Sequence, residues 1–223
     1  MRTRVDGAMA PRWGRGAAIF LAVGLLVFAL HRYIGGFDLH VRLVGLIARE
    51  FASVQLPVIQ SHPLSEHLHR LGGSLLVLTG LLQFHAGLRR ARPRVHRAIG
   101  LTYVPLALCA ALSGIYMGAA HPFGGVREAV PSVVFGLALI GVTLFALVLA
   151  RRRRFDAHRE WMARSYAIVL GPMTIRILYV PLWMLCGLPE TEAVWVSFWL
   201  GWLTNLAVVE AWIRGRRSRA RGA

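Results

Sequence analysis

Long apolar stretches separated by short arginine-rich loops dominate the pattern of hydrophobic and polar positions along the chain. Because an α-helix rises about 1.5 Å per residue, roughly 20 apolar residues cross the ~30 Å hydrocarbon core of a bilayer. The chain has six stretches of about this length, so the pattern predicts an all-α polytopic membrane bundle with six transmembrane helices. The predicted spans are about 17–34, 67–88, 98–119, 130–150, 161–186 and 193–213.

The segments outside these spans have patterns of their own. Apolar residues recur at helical spacing from Leu43 to Val54, with charged residues between them. This spacing predicts an outer amphipathic segment over about 37–60 that lies along the membrane surface. Residues 1–16 and 214–223 are basic, and we expect both to flank a single transmembrane domain over 17–213 on its cytoplasmic side.

Composition supports a membrane protein and argues against a nucleic-acid partner. Hydrophobic residues make up 56% of the chain, and the mean hydropathy is +0.54. The formal net charge is +16, and all 26 basic residues are arginines. These arginines cluster between the spans, which is typical of membrane topology rather than of nucleic-acid binding. The expected partners are therefore the lipid bilayer and the anionic lipid headgroups that meet the arginine clusters.

The distribution of arginines predicts the orientation. With six spans, the N-terminus, the loops at 89–97 and 151–159, and the C-terminus share one side of the membrane. With Arg164 just inside the membrane, that side holds twenty arginines, and the opposite side holds five. Cytoplasmic segments carry the excess of basic residues. We therefore expect both termini to be cytoplasmic.

A burst of arginines that ends in His-Arg occurs twice, at His96-Arg97 and at His158-Arg159. The two histidines are 62 positions apart, and each copy joins two predicted spans. Either a tandem duplication of two spans or a shared topological constraint explains this correspondence.

Several short motifs occur together in the second part of the chain. They are His69; His96-Arg97 with Gly100 and Tyr103; His158-Arg159-x-Trp161-Met162-x-Arg164-Ser165-Tyr166; Arg176-Ile177; and Trp202-x-x-Asn205 with Glu210. Together they resemble a bacterial family of predicted multi-pass membrane proteins of unknown function. The resemblance covers roughly residues 65–212 and leaves residues 1–60 outside. It implies a bacterial cytoplasmic (inner) membrane protein and carries no activity with it.

Histidines at both predicted membrane faces suggest a cofactor. In membrane b-type cytochromes, paired imidazoles on facing helices hold a haem iron near each surface. The layout here is similar to the ascorbate-reducible two-haem cytochromes in architecture. It predicts haem b as the cofactor, Arg97 and Arg159 as partners of its propionates, and a redox partner. The candidate cofactor-binding histidines are His69 and His121 near the outer face, and His96 and His158 near the cytoplasmic face. Of these, His69, His96 and His158 are the candidate iron ligands.

The remaining histidines favour simpler interpretations. We interpret His31, His40 and His62 as interfacial residues that meet lipid headgroups. Clustering of His62 with Glu66, His67 and His69 allows a zinc or copper site, but the spacing matches no strong ligand motif.

Arg176 lies near the middle of the fifth predicted span. A mid-bilayer arginine costs at least about 2.5–3.5 kcal/mol, so we expect it to face the bundle interior and to mark a site. Asn205, at similar depth in the sixth span, is its expected contact. An anionic ligand, a quinone oxygen or a haem propionate would suit its charge. Glu210 lies nearer the cytoplasmic end, and we expect it to form a structural ion pair with Arg164.

Three functional hypotheses follow from these residues. The first is a transmembrane electron carrier with b-type haem. The second is a small-solute, proton or lipid-handling protein built around Arg176. The third is a non-catalytic assembly or interaction subunit. The sequence leaves open whether the protein is an enzyme. No Gly-rich phosphate loop stands between a strand and a helix, so any redox or transport role must draw on partners or gradients.

Overall fold

The computed structural model describes residues 12–221. In that range the chain forms α-helices and one π-helical turn, and no β-strand. The predicted all-α class is therefore confirmed. Residues 1–11 of the predicted N-terminal segment and residues 222–223 lie outside the described residues. The helices are α1 (Arg12–Gly45), α2 (Leu56–Gln60), α3 (Pro63–Phe84), α4 (Ala86–Ala91), α5 (Pro93–Ala120), α6 (Val126–Arg151), α7 (Phe155–Val169), α8 (Gly171–Met184) and α9 (Glu190–Arg221); the π-helical turn is Phe51–Gln55.

Four helices in the described part of the chain are long and apolar enough to cross a membrane. They are Gly16–Gly45, Pro93–Ala120, Val126–Arg151 and Glu190–Arg219. The α7–α8 pair qualifies as a fifth span, although it is bent by 41°. The helix α3 matches the predicted second span but is not among these candidates, because Glu66, His67 and Arg70 occupy its first turns. The structure thus contains four or five candidate spans, against six predicted.

Short connections make neighbouring helices antiparallel. Packing follows the order of the chain, with α3 against α5, α5 against α6, α6 against α7 and α8 against α9. The helix α1 lies on the outside of the bundle, where it contacts α3 and α8. We call the end that holds residues 85–97 and 151–159 the arginine-rich end, and the end that holds residues 46–62 and 121–125 the opposite end.

The predicted fifth span is broken at Leu170, between α7 and α8. Pro172 has no backbone N–H, so the carbonyl of Ile168 loses its donor within the helix. Trp202 Nε1 on α9 donates to that carbonyl at 3.1 Å, and Asn205 Nδ2 donates to the carbonyl of Ala167 at 3.0 Å. The Trp202-x-x-Asn205 motif therefore serves the backbone at the break, since residues three apart share one face of a helix.

Residues 37–60 do not form one continuous helix. The chain turns sharply at Gly36, α1 ends at Gly45, and the π-helical turn and α2 follow. Glu190 at the start of α9 fastens this segment, because its carboxylate accepts the N–H groups of Glu50 and Phe51, both at 3.1 Å. The apolar side chains of the segment pack against α8 and α9. The hydrophobic cluster that they form includes Val44, Ala48, Ala52, Leu56, Tyr179, Ala193 and Val194.

Gly36 allows the sharp turn because its φ of 75° and ψ of 178° fall in a region that is essentially restricted to glycine. We expect Gly36→Ala to destabilise the protein by about 1–3 kcal/mol. Gly72→Ala is the matched control, since a methyl group there meets nothing within 4 Å in a helical backbone. Thermal unfolding of the detergent-purified variants measures the difference. Equal unfolding temperatures for the two variants would show that the turn is not required.

Candidate functional site

Of the two histidines predicted at the arginine-rich end, His158 is bound to backbone and His96 keeps an unpaired ring nitrogen. His158 Nδ1 donates to the carbonyl of Ala146 on α6 at 2.8 Å. His96 Nδ1 is enclosed and has no hydrogen-bond partner. Arg97 is exposed, and Arg159 forms an exposed ion pair with Asp156 at 3.2 Å. Among the described residues, these four predicted cofactor residues share no hydrogen bond or ion pair with one another.

The two histidines predicted at the opposite end, His69 and His121, have different neighbours. His69 Nδ1 donates to the carbonyl of Ala110 on α5 at 3.1 Å. His121 instead lies beside His62, with 4.2 Å between the two ring centroids. His67 is bound by the hydroxyl of Tyr33 at 3.0 Å. Across the described residues, no three His, Cys, Asp or Glu side chains converge as a group that could hold a metal ion.

Several residues of the family-like motifs have structural contacts. The Tyr103 hydroxyl lies 2.9 Å from Ser165 Oγ, which lies 2.7 Å from Thr143 Oγ1, so a buried hydroxyl network joins α5, α6 and α7. The Tyr166 hydroxyl donates to the carbonyl of Val77 at 3.1 Å. A Cβ at Gly80 would lie 2.1 Å from the Tyr166 ring, so this position requires glycine for the close approach of α3 and α7.

Arg164 and Glu210 form a bidentate ion pair between α7 and α9. The Nε–Oε1 distance is 2.5 Å and the Nη2–Oε2 distance is 3.1 Å. The guanidinium also lies over the ring of Trp161, 4.7 Å from its centroid. The structure thus brings together the two residues expected to pair, and it does so through both carboxylate oxygens.

Arg176 does not meet Asn205, its expected contact. The Asn205 amide is bound to the carbonyl of Ala167 and to Thr174 Oγ1, which donates at 2.9 Å. Thr174 and Arg176 are two residues apart on α8, about 200° around the helix. Because Thr174 faces α9, Arg176 faces away from α9 and towards α1.

On that side, Arg176 finds an aromatic ring and a carbonyl but no carboxylate. Its guanidinium carbon lies 4.1 Å above the centroid of Phe28 on α1. Its Nη1 donates to the carbonyl of Pro172 at 2.7 Å. Within the described residues, no acidic side chain lies within salt-bridge distance of Arg176. Its positive charge is therefore uncompensated inside the bundle.

Two more arginines near this position share a single carboxylate. Glu66 on α3 is buried and lies 3.2 Å from Arg70 and 3.6 Å from Arg32. The Nε atoms of both arginines are enclosed and have no hydrogen-bond partner. The interior next to the opposite end thus holds the guanidinium groups of Arg32, Arg70 and Arg176, and among the described residues only the carboxylate of Glu66 pairs with any of them. Some of the guanidinium N–H groups have no acceptor.

Two histidines complete this group through Phe28. The rings of His31 and His40 lie 5.3 Å and 5.9 Å from the Phe28 ring, centroid to centroid. His40 Nδ1 is 2.7 Å from His31 Nε2, and His40 is only 2% exposed. The expectation that His40 is interfacial is therefore wrong. We call Phe28, His31, Arg32, His40, Glu66, Arg70 and Arg176 together the arginine–histidine layer.

The sequence pattern indicated Arg176 as a site residue but did not indicate most of the arginine–histidine layer. The available signal was the spacing of His31 and His40 on either side of Gly35-Gly36. Two glycines between polar residues permit a reversal that brings both rings together.

Two open depressions, of ≈ 380 and ≈ 350 Å³, lie elsewhere at the opposite end. The first is lined by residues from 124–127 and 191–195, and the second by residues from 37–57.

Comparison with known families assigns the greater part of the chain to one family. Residues 67–213 match the model of a family described as Predicted membrane protein (DUF2306). The chain belongs to this family, whose function is unknown. The matched region contains Arg70 and Arg176, whereas α1 and Glu66 lie before it. The arginine–histidine layer is therefore assembled from the family region and the segment that precedes it.

No curated protein and no solved structure matches the chain. The function therefore has to be inferred from the arrangement of its own residues.

Proposed function

We propose that this membrane protein binds an anionic group in the arginine–histidine layer and handles a small anionic solute or a lipid there. The uncompensated charge of Arg176 carries the proposal. A buried charge without a partner costs several kcal/mol. A bound carboxylate, phosphate or sulfate group would offset that cost and would accept the free N–H groups, because the guanidinium fork fits such oxyanions.

The unused donors around Arg176 support the same proposal. The Nε–H of Arg70 is enclosed without an acceptor, and that of Arg32 faces Glu66 Oε1 at 3.6 Å without forming a hydrogen bond. Leaving such donors unsatisfied costs about 1–3 kcal/mol each, or more for charged groups. Glu66 is shared by these two arginines and cannot neutralise both. An anion that reached the layer would find three cationic groups on three helices, α1, α3 and α8.

The packing of α1 determines how a ligand could arrive. Much of the apolar surface of α1 is exposed, as at Val27, which is 64% exposed. In a bilayer this surface would face lipid, so only α1, with Phe28, separates Arg176 from the lipid phase. A lipid headgroup could therefore enter beside α1, while a free anion would enter from the aqueous opposite end.

A haem electron carrier is the second candidate function. The specific support is the orientation of His69 and His158. Each has Nδ1 bound to a carbonyl of the neighbouring helix, which can only accept, so the lone pair lies on Nε2. A backbone hydrogen bond at one nitrogen is the usual orientation of a metal-ligating histidine. His69 and His158 would then hold separate haem groups near the two membrane faces and would serve a redox partner.

We also propose six spans with both termini in the cytoplasm of a bacterium. The support is the excess of arginines at one end of the bundle. The helix α3 has 22 residues, a length of about 33 Å, which suffices to cross a bilayer. The arginine-rich end would then meet the anionic headgroups of the inner leaflet.

Arg176→Gln tests the anion site. We expect it to weaken binding of inorganic sulfate or of dihexanoyl phosphatidylglycerol by about 10- to 100-fold, because a charge-assisted hydrogen bond contributes about 1.5–3 kcal/mol. Titration calorimetry of detergent-purified protein measures both ligands and distinguishes a free anion from a lipid headgroup. Arg127→Gln is the matched control, since Arg127 is exposed near the same end. Unchanged affinity in Arg176→Gln, or no binding by the native protein, would contradict the proposal.

A reduced-minus-oxidised absorption spectrum tests the haem candidate. Protein purified from a haem-replete host should show a Soret band, and His158→Ala should weaken it because an axial ligand is lost. The matched control is His67→Ala, because His67 is exposed and bound to Tyr33. Absence of the band from the native protein would eliminate this candidate.

Reporter fusions test the topology. A fusion after Arg221 should be active only as a cytoplasmic reporter, and a fusion after Gly124 only as an external one, because these points lie at opposite ends of the bundle. The same reporter state at both points would be inconsistent with six spans.

A further inference from the structure

The hydrogen bonds of His31 and His40 have a determined direction. A carbonyl oxygen can only accept, so His31 Nδ1, 2.5 Å from the carbonyl of Phe28, is the donor. In neutral His31 the lone pair then lies on Nε2. His40 Nδ1, 2.7 Å from that atom, therefore donates to it. The lone pair that remains in the two-ring chain is on His40 Nε2.

This arrangement can accept one proton without rearrangement. A proton from solvent that adds to His40 Nε2 leaves both existing hydrogen bonds in place, because they use the other nitrogens. The pair thus has two protonation states with the same geometry, which differ by one positive charge. Histidine is the side chain whose ordinary titration range lies closest to neutral pH.

Charged groups from three helices surround the pair. Arg32 on α1, Arg70 on α3 and Arg176 on α8 lie close enough to His40 for their charges to act on it. Glu66 on α3 is the carboxylate next to Arg32 and Arg70. His69 on the same helix is a further imidazole on which the charges of Arg70 and Arg176 act. The π-helical turn also packs against α1, and it contains no ionisable residue. Burial and these positive charges both oppose protonation of the pair, and an anion in the layer would offset the charges.

We propose that anion binding at Arg176 is coupled to the uptake of one proton by the His31–His40 pair. This inference rests on the proposed anion site. Phe28 places the two events side by side, since its ring contacts His31, His40 and the Arg176 guanidinium. A bound anion offsets the positive charge that opposes protonation, and a proton on His40 in turn favours the anion. Such coupling is reciprocal by thermodynamic necessity.

A non-titrating probe measures this coupling without ambiguity. Inorganic sulfate and dihexanoyl phosphatidylglycerol both keep their charge between about pH 6 and pH 8, so any proton taken up is bound by the protein. The protein in detergent is titrated in weak buffer with a pH-indicating dye, and the affinity is measured across the same range. We expect up to one proton per bound anion. The affinity should rise by up to about tenfold for each unit that the pH falls.

Variants locate the proton. His40→Gln should still bind the probe, but with no proton uptake and with an affinity that is independent of pH. His67→Gln is the control, because His67 is exposed on the neighbouring α3 helix, and its proton uptake should match that of the native protein. Proton uptake that persists in a variant carrying both His31→Gln and His40→Gln would overturn the assignment to the pair.

Measurements on the native protein alone keep the inference testable if His40→Gln does not fold. Sulfate or lipid binding with no proton uptake and no pH dependence would overturn the coupling while leaving the anion site intact. Failure of the native protein to bind either probe would overturn the anion site and the coupling together.

Discussion

The rest of the polar architecture depends on the helix break at Leu170. In an apolar bundle every freed backbone group needs a partner, and Pro172 frees the carbonyl of Ile168. Trp202 on α9 supplies the donor for that carbonyl, so α9 is held against the break. A Cβ at Gly171 would lie 2.1 Å from the Trp202 ring, so glycine permits the close approach. Once Thr174 faces α9, the helical repeat turns Arg176 towards α1.

Charge balance distinguishes Arg176 from Arg164 and Arg217, which each face a carboxylate on another helix. Arg164 is matched by Glu210 through two hydrogen bonds, and Arg217 is matched by Glu160 at the surface. Around Arg176 the ratio is reversed, because Glu66 alone serves two neighbouring arginines. The negative partner that we propose would come from outside the chain and would supply the missing charge. The segment before residue 67 supplies the aromatic ring and both imidazoles, so it would control what that partner is.

The sequence predicted some side-chain contacts and not others for a definite reason. Arg164 and Glu210 could be paired because the order of the helices places both near the same end of the bundle. The contact of Arg176 with Asn205 was wrong, since equal depth does not specify which face of α8 points to α9. His31 and His40 were assigned to the interface because a histidine near an arginine at the mouth of a span often meets lipid headgroups. The positive φ of Gly36 instead folds the chain back and buries His40.

The sequence by itself determined the helical class, most of the apolar helices and the end of the bundle that carries the arginines. These properties follow from hydrophobicity and charge summed over many residues, so single contacts do not alter them. Only the tertiary structure decided which polar side chains meet inside the bundle. Those meetings depend on the rotation of each helix about its axis, on one proline-dependent break and on one glycine turn. A shift of a single residue in any of them turns a side chain by about 100° and changes its partner.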